Sequence, residues 1–217
     1  MTSFTIEEQN QVLDHLIESR RTIRKFKAES PPKPLVEMVI QAGLLAPYAQ
    51  ISVTKEDFRR FVVIPRESDA TARIASLMKH RGAVLSEELG ERMQHDAFHR
   101  NRGERYLGVL KMTGQQGPPN LGKVPYYIIV AEQRGVPDVA QLSLAHCLEN
   151  MWLKATALGL GFQLFSITER MAEDKEFCEI IGIPFGEYAL DGCLLGYPDA
   201  SPALPKRPLV GEVTTWL

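Results

Sequence analysis

The sequence predicts an α+β sandwich in which helices cover both faces of a central sheet. Short apolar runs at 61–64, 126–131, 162–165 and 188–197 have the β-branched or aromatic composition of strands. Helical patterns separate these runs along the chain. The clearest, at 137–158, is apolar on more than one face, which is typical of a helix deep in a core or in a subunit interface.

The first two helices have clear start and stop signals. Thr5 and Glu8 form a capping-box pattern, and the apolar spacing after them predicts a helix that ends at about Arg20. Pro34 suits the first position of a second helix, and Pro47 follows its end. The expected buried face of this second helix consists of Leu35, Val36, Val39, Ile40 and Leu44.

The middle of the chain is helical in pattern from 68 to 112, with expected breaks at Gly82, Gly90 and Gly103. A loop is expected at 114–122, where glycine and proline are concentrated.

Two glycines are expected to end the later helices. Gly159 is the predicted stop of the helix at 137–158, and Gly182 is the predicted stop of one amphipathic helix at 169–180. The tail at 199–217 is Pro-rich and extended, with apolar residues at its end, and we expect it to dock on another surface.

Composition excludes several classes of protein. A formal net charge of -2 argues against general affinity for nucleic acid. The sequence has no apolar run long enough for a membrane span, and its N-terminus lacks the pattern of a secretory signal. Cys147, Cys178 and Cys193 are odd in number and far apart, which favours buried, reduced thiols in a cytoplasmic protein.

A basic segment, SRRTIRKF at 19–26, is the densest group of cations in an otherwise slightly acidic chain. It contains Arg20, Arg21, Arg24 and Lys25. One interpretation is a solvated helix end, where the helix dipole favours cations. The other is a binding site for an anion.

Three observations favour the anion site. If the segment is extended, one side presents Arg20, Thr22 and Arg24, which is a set suited to a phosphate group. The sequence GLGFQ at 159–163 lets backbone approach a flat ligand closely. The sequence LPKRP at 204–208 holds a second cationic pair in a rigid proline frame.

The order of these segments resembles the nitroreductase family of FMN-dependent oxidoreductases. The segments are SRRTIRKF, then AGLLAPYA at 42–49, the helix that ends in ALGLGF, LLGYP at 194–198, and KRP. The resemblance covers about 15–64 and 124–217 and leaves out 66–120.

The resemblance implies one α+β domain over 1–217, a sandwich with a mainly antiparallel central sheet, that works as a homodimer. It also implies a variable helical insert at about 66–120 and a C-terminal arm at about 199–217 that is exchanged across the dimer. FMN would bind at the interface, NADH or NADPH would donate hydride, and a small electron-poor acceptor such as a nitroaromatic or a quinone would be reduced. The chemistry would come from the flavin, without a catalytic acid or base.

The same resemblance assigns cofactor-binding roles by position. The basic segment would hold the phosphate and ribityl chain, with Arg24 near the N1/O2 edge of the ring, and the C-terminal cationic pair would return to the phosphate. The residues assigned in this way are Arg20, Arg21, Thr22, Arg24, Pro47, Tyr48, Ala49, Gly159, Leu160, Gly161, Lys206 and Arg207.

The sequence departs from the family pattern after Pro47. Tyr48 stands where a small polar residue is usual, and no Asn-x-Gln-Pro-Trp run precedes the strand at 61–64. Gln50 is a candidate to replace one of the lost polar contacts. This altered loop motivates a second hypothesis, a non-catalytic protein of the same fold that binds or senses a flavin.

A third hypothesis is a metal-dependent enzyme. His95 and His99 are spaced four residues apart, which places them on one face of a continuous helix, and His80 lies upstream. The sequence offers no HExxH arrangement and no clear third ligand, so no metal site is predicted.

Overall fold

The computed structural model describes residues 4–49, 58–200 and 202–217. At its centre is a four-stranded sheet in the order β1-β2-β4-β3, in which every pair of neighbouring strands is antiparallel. The predicted α+β sandwich with a mainly antiparallel sheet is therefore confirmed. The strands are β1 (Arg59–Pro65), β2 (Tyr126–Gln133), β3 (Gly161–Leu164) and β4 (Tyr188–Gly196).

Helices cover both faces of this sheet. They are α1 (Ile6–Ser19), α2 (Lys33–Leu44), α3 (Ala70–His95), α4 (Ala97–Arg102), α5 (Glu104–Gln116), α6 (Ala140–Ala157), α7 (Ile167–Arg170), α8 (Lys175–Ile181) and α9 (Val210–Val213). One apolar core packs α2 and α6 on the sheet, and the other packs α3 and α8 on the opposite face. Ile128 and Ile129 of β2 belong to different cores, because successive strand residues point to opposite faces.

The first two helices begin and end where their signals predict. The Thr5 hydroxyl accepts a hydrogen bond from the Glu8 amide, and the Glu8 carboxylate accepts one from the Thr5 amide, so the capping box is present. Helix α2 includes Pro34 in its first turn and buries Val36 and Val39. The prediction for Leu44 is wrong, because its position at the end of α2 leaves it about half exposed.

Two of the three expected helix breaks are absent. Helix α3 runs unbroken through Gly82 and Gly90, and only Gly103 marks a boundary, between α4 and α5. At Gly82 an added Cβ would lie 2.8 Å from Cγ2 of Thr113, so this glycine allows α3 and α5 to pack closely. Helix α5 also continues to Gln116, so it includes the first three residues of the expected loop.

The helix predicted at 169–180 is divided. Helix α7 ends at Arg170, a short 3-10 turn follows at Met171–Glu173, and α8 starts anew after Asp174. The break arises because the Asp174 carboxylate accepts a hydrogen bond from the Phe177 amide at 2.9 Å and caps α8. Gly182 ends α8 with a φ of 69°, as predicted.

Helix α6 forms the centre of one core. It starts at Ala140, three residues later than predicted, because the Val139 amide bonds to the Pro137 carbonyl in a turn. Cys147 is buried in this helix, and Cys178 and Cys193 are buried elsewhere, all three unpaired, as predicted. Within the described part of the chain, no helix combines the length and the hydropathy needed to cross a membrane.

Two segments leave apolar side chains uncovered in the single chain. Helix α1 buries none of its residues, and Val12 and Ile17 are both more than half exposed. In the C-terminal arm, Leu204, Val210 and Trp216 are 72%, 76% and 91% exposed. The arm therefore does not dock its apolar residues on the rest of its own chain.

Asp191 lies in the middle of β4, opposite Val130 of β2, in a mostly buried position. Burial raises the pKa of its carboxyl group to about 6, the Gly192 amide opposes this rise, and Glu169 adds to it. The free energy of unfolding should therefore decrease as the pH rises from about 4 to about 6. In this range the folded state retains a proton on Asp191 that the unfolded state has lost. Well above pH 6, Asp191 is ionised in both states, and the free energy of unfolding is lowered by the full cost of burying its charge.

We expect Asp191→Asn to stabilise the flavin-free protein at pH 7 by up to about 3 kcal/mol, since a shift of about two pKa units disappears. At pH 4 the variant and the parent should be nearly equal. Urea unfolding at both pH values measures the difference. Asp199→Asn, at an exposed position, is the control. Equal stabilities of Asp191→Asn and the parent at pH 7 would contradict a buried charge.

Candidate functional site

The basic segment leaves α1 and lies against β3 in an extended conformation. The Ile23 amide donates a hydrogen bond to the Phe162 carbonyl at 3.0 Å, and Thr22 forms a parallel bridge with Phe162. Ile23 is 5% exposed, whereas Arg24 and Lys25 point to solvent. The apolar residue thus anchors the segment and leaves its polar residues near the surface.

Helix α6 orients the first arginine of the segment. The Arg20 guanidinium lies over the Trp152 ring, 4.2 Å from its centroid, and its Nε is 3.1 Å from Oε1 of Glu149. The Trp152 indole N–H donates to the Arg21 carbonyl at 3.1 Å, and the ring stacks on Phe162 with centroids 5.1 Å apart. An anion at Arg20 therefore meets a preoriented guanidinium but must share it with Glu149.

Glu149 and Trp152 received no role in the sequence analysis. Their spacing of three residues places them on one face of α6, and that face meets the basic segment. This spacing would have indicated a contact with the basic segment only if the packing of that helix face were known, and the sequence does not reveal that packing.

The C-terminal arm completes a cationic cleft beside the basic segment. The cleft has a volume of about 490 Å³, within the range of small-molecule sites. It is lined by Ile17, Glu18, Arg20, Arg21, Leu204, Pro205 and Arg207. The predicted phosphate-binding arginines Arg20, Arg21 and Arg207 therefore line one cleft, although Arg207 is almost 190 residues from the other two in sequence.

Other predicted members are absent from the lining of this cleft. Lys206 is exposed and is not part of its lining. Arg24 also lies outside the lining, and its carbonyl accepts a hydrogen bond from the Asn120 side chain at 3.1 Å. The same Asn120 amide donates to Gln163 of β3 at 2.9 Å, so the helical insert is tied to the basic segment at this point.

The glycine pair after α6 allows the close approach of the basic segment to β3. Gly159 has a φ of 69°, a left-handed conformation that ends the helix, and Leu160 is buried after it. At Gly161 an added Cβ would lie 2.9 Å from Cγ2 of Ile23 and 3.1 Å from Cε1 of Phe26. Gly161 is thus required by packing.

We expect Gly161→Ala to lower the free energy of unfolding by about 1–3 kcal/mol, because the new methyl group overpacks the contact with Ile23. Chemical denaturation of the flavin-free protein measures the change. Gly108→Ala is the matched control, since its Cβ meets nothing within 4 Å in a helix and should stabilise by about 0.5–1 kcal/mol. A Gly161→Ala protein as stable as the parent would disprove the packing argument.

The segment Pro47–Ala49 lies near the other end of α6. The Ala49 amide donates to the Ser143 hydroxyl at 2.7 Å, and the Tyr48 hydroxyl donates to the Gln133 carbonyl at 3.3 Å. Burial raises the pKa of the Tyr48 hydroxyl, and the nearby Glu132 carboxylate adds to that rise. Gln50, the candidate replacement contact, falls at 50–57, outside the described residues.

The two halves of the predicted site contact different parts of α6. Ser143 contacts one half and Trp152 contacts the other. These residues are nine positions apart on α6, which corresponds to roughly 13–14 Å of helix rise. The two segments are therefore anchored at separate points along the same helix.

The sequence analysis also missed a buried ion pair behind this segment. Arg59 opens β1, and its Nη2 lies 2.7 Å from Oε2 of Glu132, with both side chains inaccessible to solvent. Both charged residues were visible in the sequence, Arg59 at the start of RRFVVIP and Glu132 near the end of YYIIVAEQ. Their pairing was not, because it depends on the register of β1 with β2.

The histidine insert does not form the continuous helix that the metal hypothesis requires. His95 ends α3, and His99 lies in α4, since Asp96 caps α4 and interrupts the helix. The Asp96 carboxylate lies 2.6 Å from Nδ1 of His99, and this contact lowers the pKa of Asp96. Among the residues at 4–49, 58–200 and 202–217, no group of three or more potential ligands could hold a metal ion.

The sequence comparison gives the family of this chain. The model of the Nitroreductase family matches residues 17–197, which is most of the chain. The chain belongs to the nitroreductase family. The match also runs through the helical insert that the sequence resemblance left out.

Individual relatives are distant but cover nearly the whole chain. YfhC of Bacillus subtilis (strain 168), provisionally named an NAD(P)H nitroreductase, is 24% identical over 203 residues, 92% of this chain and 91% of its own. An FMN-bound nitroreductase from Bacteroides fragilis NCTC 9343 is 22% identical with a TM-score of 0.63, covering 96% of this chain and 99% of that one.

A third similar structure is an oxidized iodotyrosine deiodinase bound to FMN and 3-iodo-L-tyrosine. It is 20% identical, with a TM-score of 0.66, and the likeness covers 94% of this chain and 100% of that one. At these identities the structural likenesses establish the fold.

Proposed function

We propose that this protein is an FMN-dependent oxidoreductase that transfers hydride from NADH or NADPH to a small electron-poor acceptor, such as a nitroaromatic or a quinone. The observation that carries the proposal is the cleft in which Arg20, Arg21 and Arg207 meet, in a chain of the nitroreductase family. FMN, when bound, supplies the hydride chemistry. The three unpaired, buried cysteines favour the cytoplasm as its location.

The residues present fit a flavin phosphate. Arg20, Arg21 and Arg207 offer guanidinium groups that bind phosphate oxygens in pairs, and Thr22 adds a hydroxyl. Lys206, next to Arg207, is free to turn toward the same anion because it is exposed. The Arg20–Glu149 pair is partly exposed, so its rearrangement costs little.

Arg24 is assigned to the N1/O2 edge of the flavin ring. Its backbone is fixed by Asn120, whereas its side chain is exposed and can reach a ring above β3. A positive charge at that edge favours the anionic reduced form of the flavin. Gly159, Leu160 and Gly161 are assigned to the adjacent side of the ring, where the backbone bends closely around the basic segment.

A homodimer completes the proposed site. Pro47, Tyr48 and Ala49 lie near the other end of α6 from the basic segment, which supports a site where a partner subunit brings them to the ring. The uncovered apolar residues of α1 and of the arm supply the surface for this association. The arm at 199–217 is the segment that we expect to embrace the partner.

The visible absorption spectrum of the natively purified protein tests this proposal. We expect flavin bands, and about one FMN per chain released on denaturation. Bleaching of these bands by NADH or NADPH, and recovery with a quinone or a nitroaromatic, would establish the donor and the acceptor. A colourless protein that fails to take up added FMN would reject the proposal.

A non-catalytic flavin-binding protein is the alternative function. Tyr48 favours it, because its ring lies 4.2 Å from the Phe58 ring and fills space that a small residue would leave open. Bound FMN that neither NADH nor NADPH reduces, with no acceptor turnover, would support the alternative over the oxidoreductase.

A further inference from the structure

A buried arginine–glutamate pair lies directly behind the segment Pro47–Ala49. Arg59 Nε donates to Oε2 of Glu132 at 2.8 Å, and Arg59 Nη2 lies 2.7 Å from the same oxygen. The two side chains are 1% and 0% exposed. A buried ion pair is weak as a stabilising device, since desolvation offsets most of its attraction. The other contacts of Arg59 therefore matter more than the pair itself.

The remaining donors of Arg59 bind the backbone at the end of α2. Nη1 donates to the Gly43 carbonyl at 2.8 Å and to the Ala46 carbonyl at 3.1 Å, and Nη2 donates to the Pro47 carbonyl at 3.3 Å. Helix ends leave such carbonyls without their usual partners, and α2 has no basic residue in its last turn. The Gly43 carbonyl also accepts a hydrogen bond from the Ala46 amide at 3.2 Å. Arg59 satisfies these carbonyls from a neighbouring strand.

The same segment has two further anchors. Ala49 is held by the Ser143 hydroxyl of α6, and the Tyr48 side chain is held by the Gln133 carbonyl of β2. Residues 46–49 are thus attached to β1, β2 and α6 at four consecutive positions. A loop fixed at every residue is unusual, since loops generally owe their mobility to a lack of such contacts.

We propose that Arg59, held in orientation by Glu132, is a positioning residue that fixes the backbone of Pro47–Ala49 for contact with the flavin ring. This inference rests on the proposed function, because it takes the segment as one wall of the flavin site. Glu132 supplies the orientation, since its carboxylate directs the planar guanidinium fork toward the carbonyls of α2 and of Pro47.

The test begins with hydrogen–deuterium exchange of the full-length, flavin-free protein. Arg59→Lys keeps the charge but loses the planar fork, so amides in peptides that cover 43–49 should exchange at least about tenfold faster. Arg66→Lys is the matched control, because Arg66 binds Glu67 and the Ala28 carbonyl at an exposed site. A general loss of stability would also accelerate hydrogen–deuterium exchange in β2. A positioning role instead confines the faster exchange to the peptides that cover 43–49.

The second readout is FMN affinity, measured by fluorescence titration of the same proteins. We expect at least about tenfold weaker binding for Arg59→Lys and no change for Arg66→Lys. Unchanged exchange at 43–49 would overturn the positioning role. Faster exchange with unchanged FMN affinity would overturn the contact of this segment with the flavin, while the proposed function, judged by the absorption spectrum, would stand.

A double variant protects the test against misfolding. If Arg59→Lys does not fold, Arg59→Met with Glu132→Met removes both buried charges together and keeps side chains of suitable size. We expect the same local increase in exchange at 43–49 and the same loss of FMN affinity. Normal exchange at 43–49 in this double variant would also overturn the proposal.

Discussion

Replacing Arg20 and Arg207 together by alanine is expected to weaken FMN binding by roughly 10²- to 10⁴-fold and to give a protein that purifies without most of its flavin. Both guanidinium groups line the same cleft, one from the basic segment and one from the arm. Each charge-assisted contact with a phosphate contributes about 1.5–3 kcal/mol, and every 1.4 kcal/mol is tenfold in affinity. The loss should shrink at high salt, which already screens such contacts.

Fluorescence titration of FMN into the flavin-free proteins measures this effect. Arg73→Ala with Lys175→Ala is the control, since it also removes two cations, both exposed and in surface ion pairs. Arg20→Ala itself removes the partly exposed ion pair with Glu149 and the cation–π contact with Trp152. Together these should lower the free energy of unfolding by about 1–2 kcal/mol, so we expect the variant to fold. Full FMN content in the double variant would show that the phosphate lies elsewhere.

Local signals in the sequence were sufficient for much of the fold. The capping box at Thr5, the stop at Gly182 and the continuous apolar run of β2 depend on neighbouring residues alone, and all three are confirmed. The antiparallel sandwich followed from the alternation of strands and helices together with the family resemblance. Such features need no knowledge of what each element packs against.

Errors arose where a distant partner decides the structure. A glycine such as Gly82, considered with its neighbours alone, predicts a helix break. In the structure it lies within a continuous helix, because Thr113, thirty-one residues later, packs too closely for a side chain at position 82. Asp174 and Asp96 interrupt predicted helices through side-chain caps that compete with continuation of the helix. The periodicity of apolar residues alone does not show whether a side-chain cap interrupts the helix or the helix continues through it.

The candidate site shows the same division. The basic segment is a local motif, and the family resemblance assigns its residues by their order in the sequence. Its meeting with Arg207 depends on the path of the arm, and the role of Glu149 depends on which face of α6 packs on the segment. The Arg59–Glu132 pair was beyond sequence reasoning, since it requires the register of two strands seventy-three residues apart.

Removal of Arg59 alone should be among the most destabilising single changes in the protein. Arg59→Met leaves Glu132 buried without its counter-charge, and breaking a buried pair in this way costs about 3–5 kcal/mol. Adding Glu132→Met should recover part of this loss of stability, because it removes the unpaired buried charge. The Gly43 and Ala46 carbonyls still lack the hydrogen bonds from Arg59, although the Gly43 carbonyl keeps one from the Ala46 amide at 3.2 Å. A deficit of about 1–3 kcal/mol should therefore remain.

The loss should also depend on pH. Burial raises the pKa of Glu132, and Arg59 opposes that rise. Without Arg59 the folded-state pKa lies still further above the unfolded value, so the folded state retains a proton that the unfolded state loses as pH increases. The destabilisation by Arg59→Met should therefore be smaller at pH 5 than at pH 8, and the double variant should lose this dependence.

Urea denaturation of the single and double variants at both pH values measures these effects. Arg66→Met, which breaks the partly exposed pair with Glu67, should cost under about 1 kcal/mol at either pH. If Arg59→Met costs no more than this control, the buried charge of Glu132 has another partner or is already neutral. If the double variant is less stable than the single one, Glu132 is not costly in the folded state without Arg59, and the expected recovery is disproved.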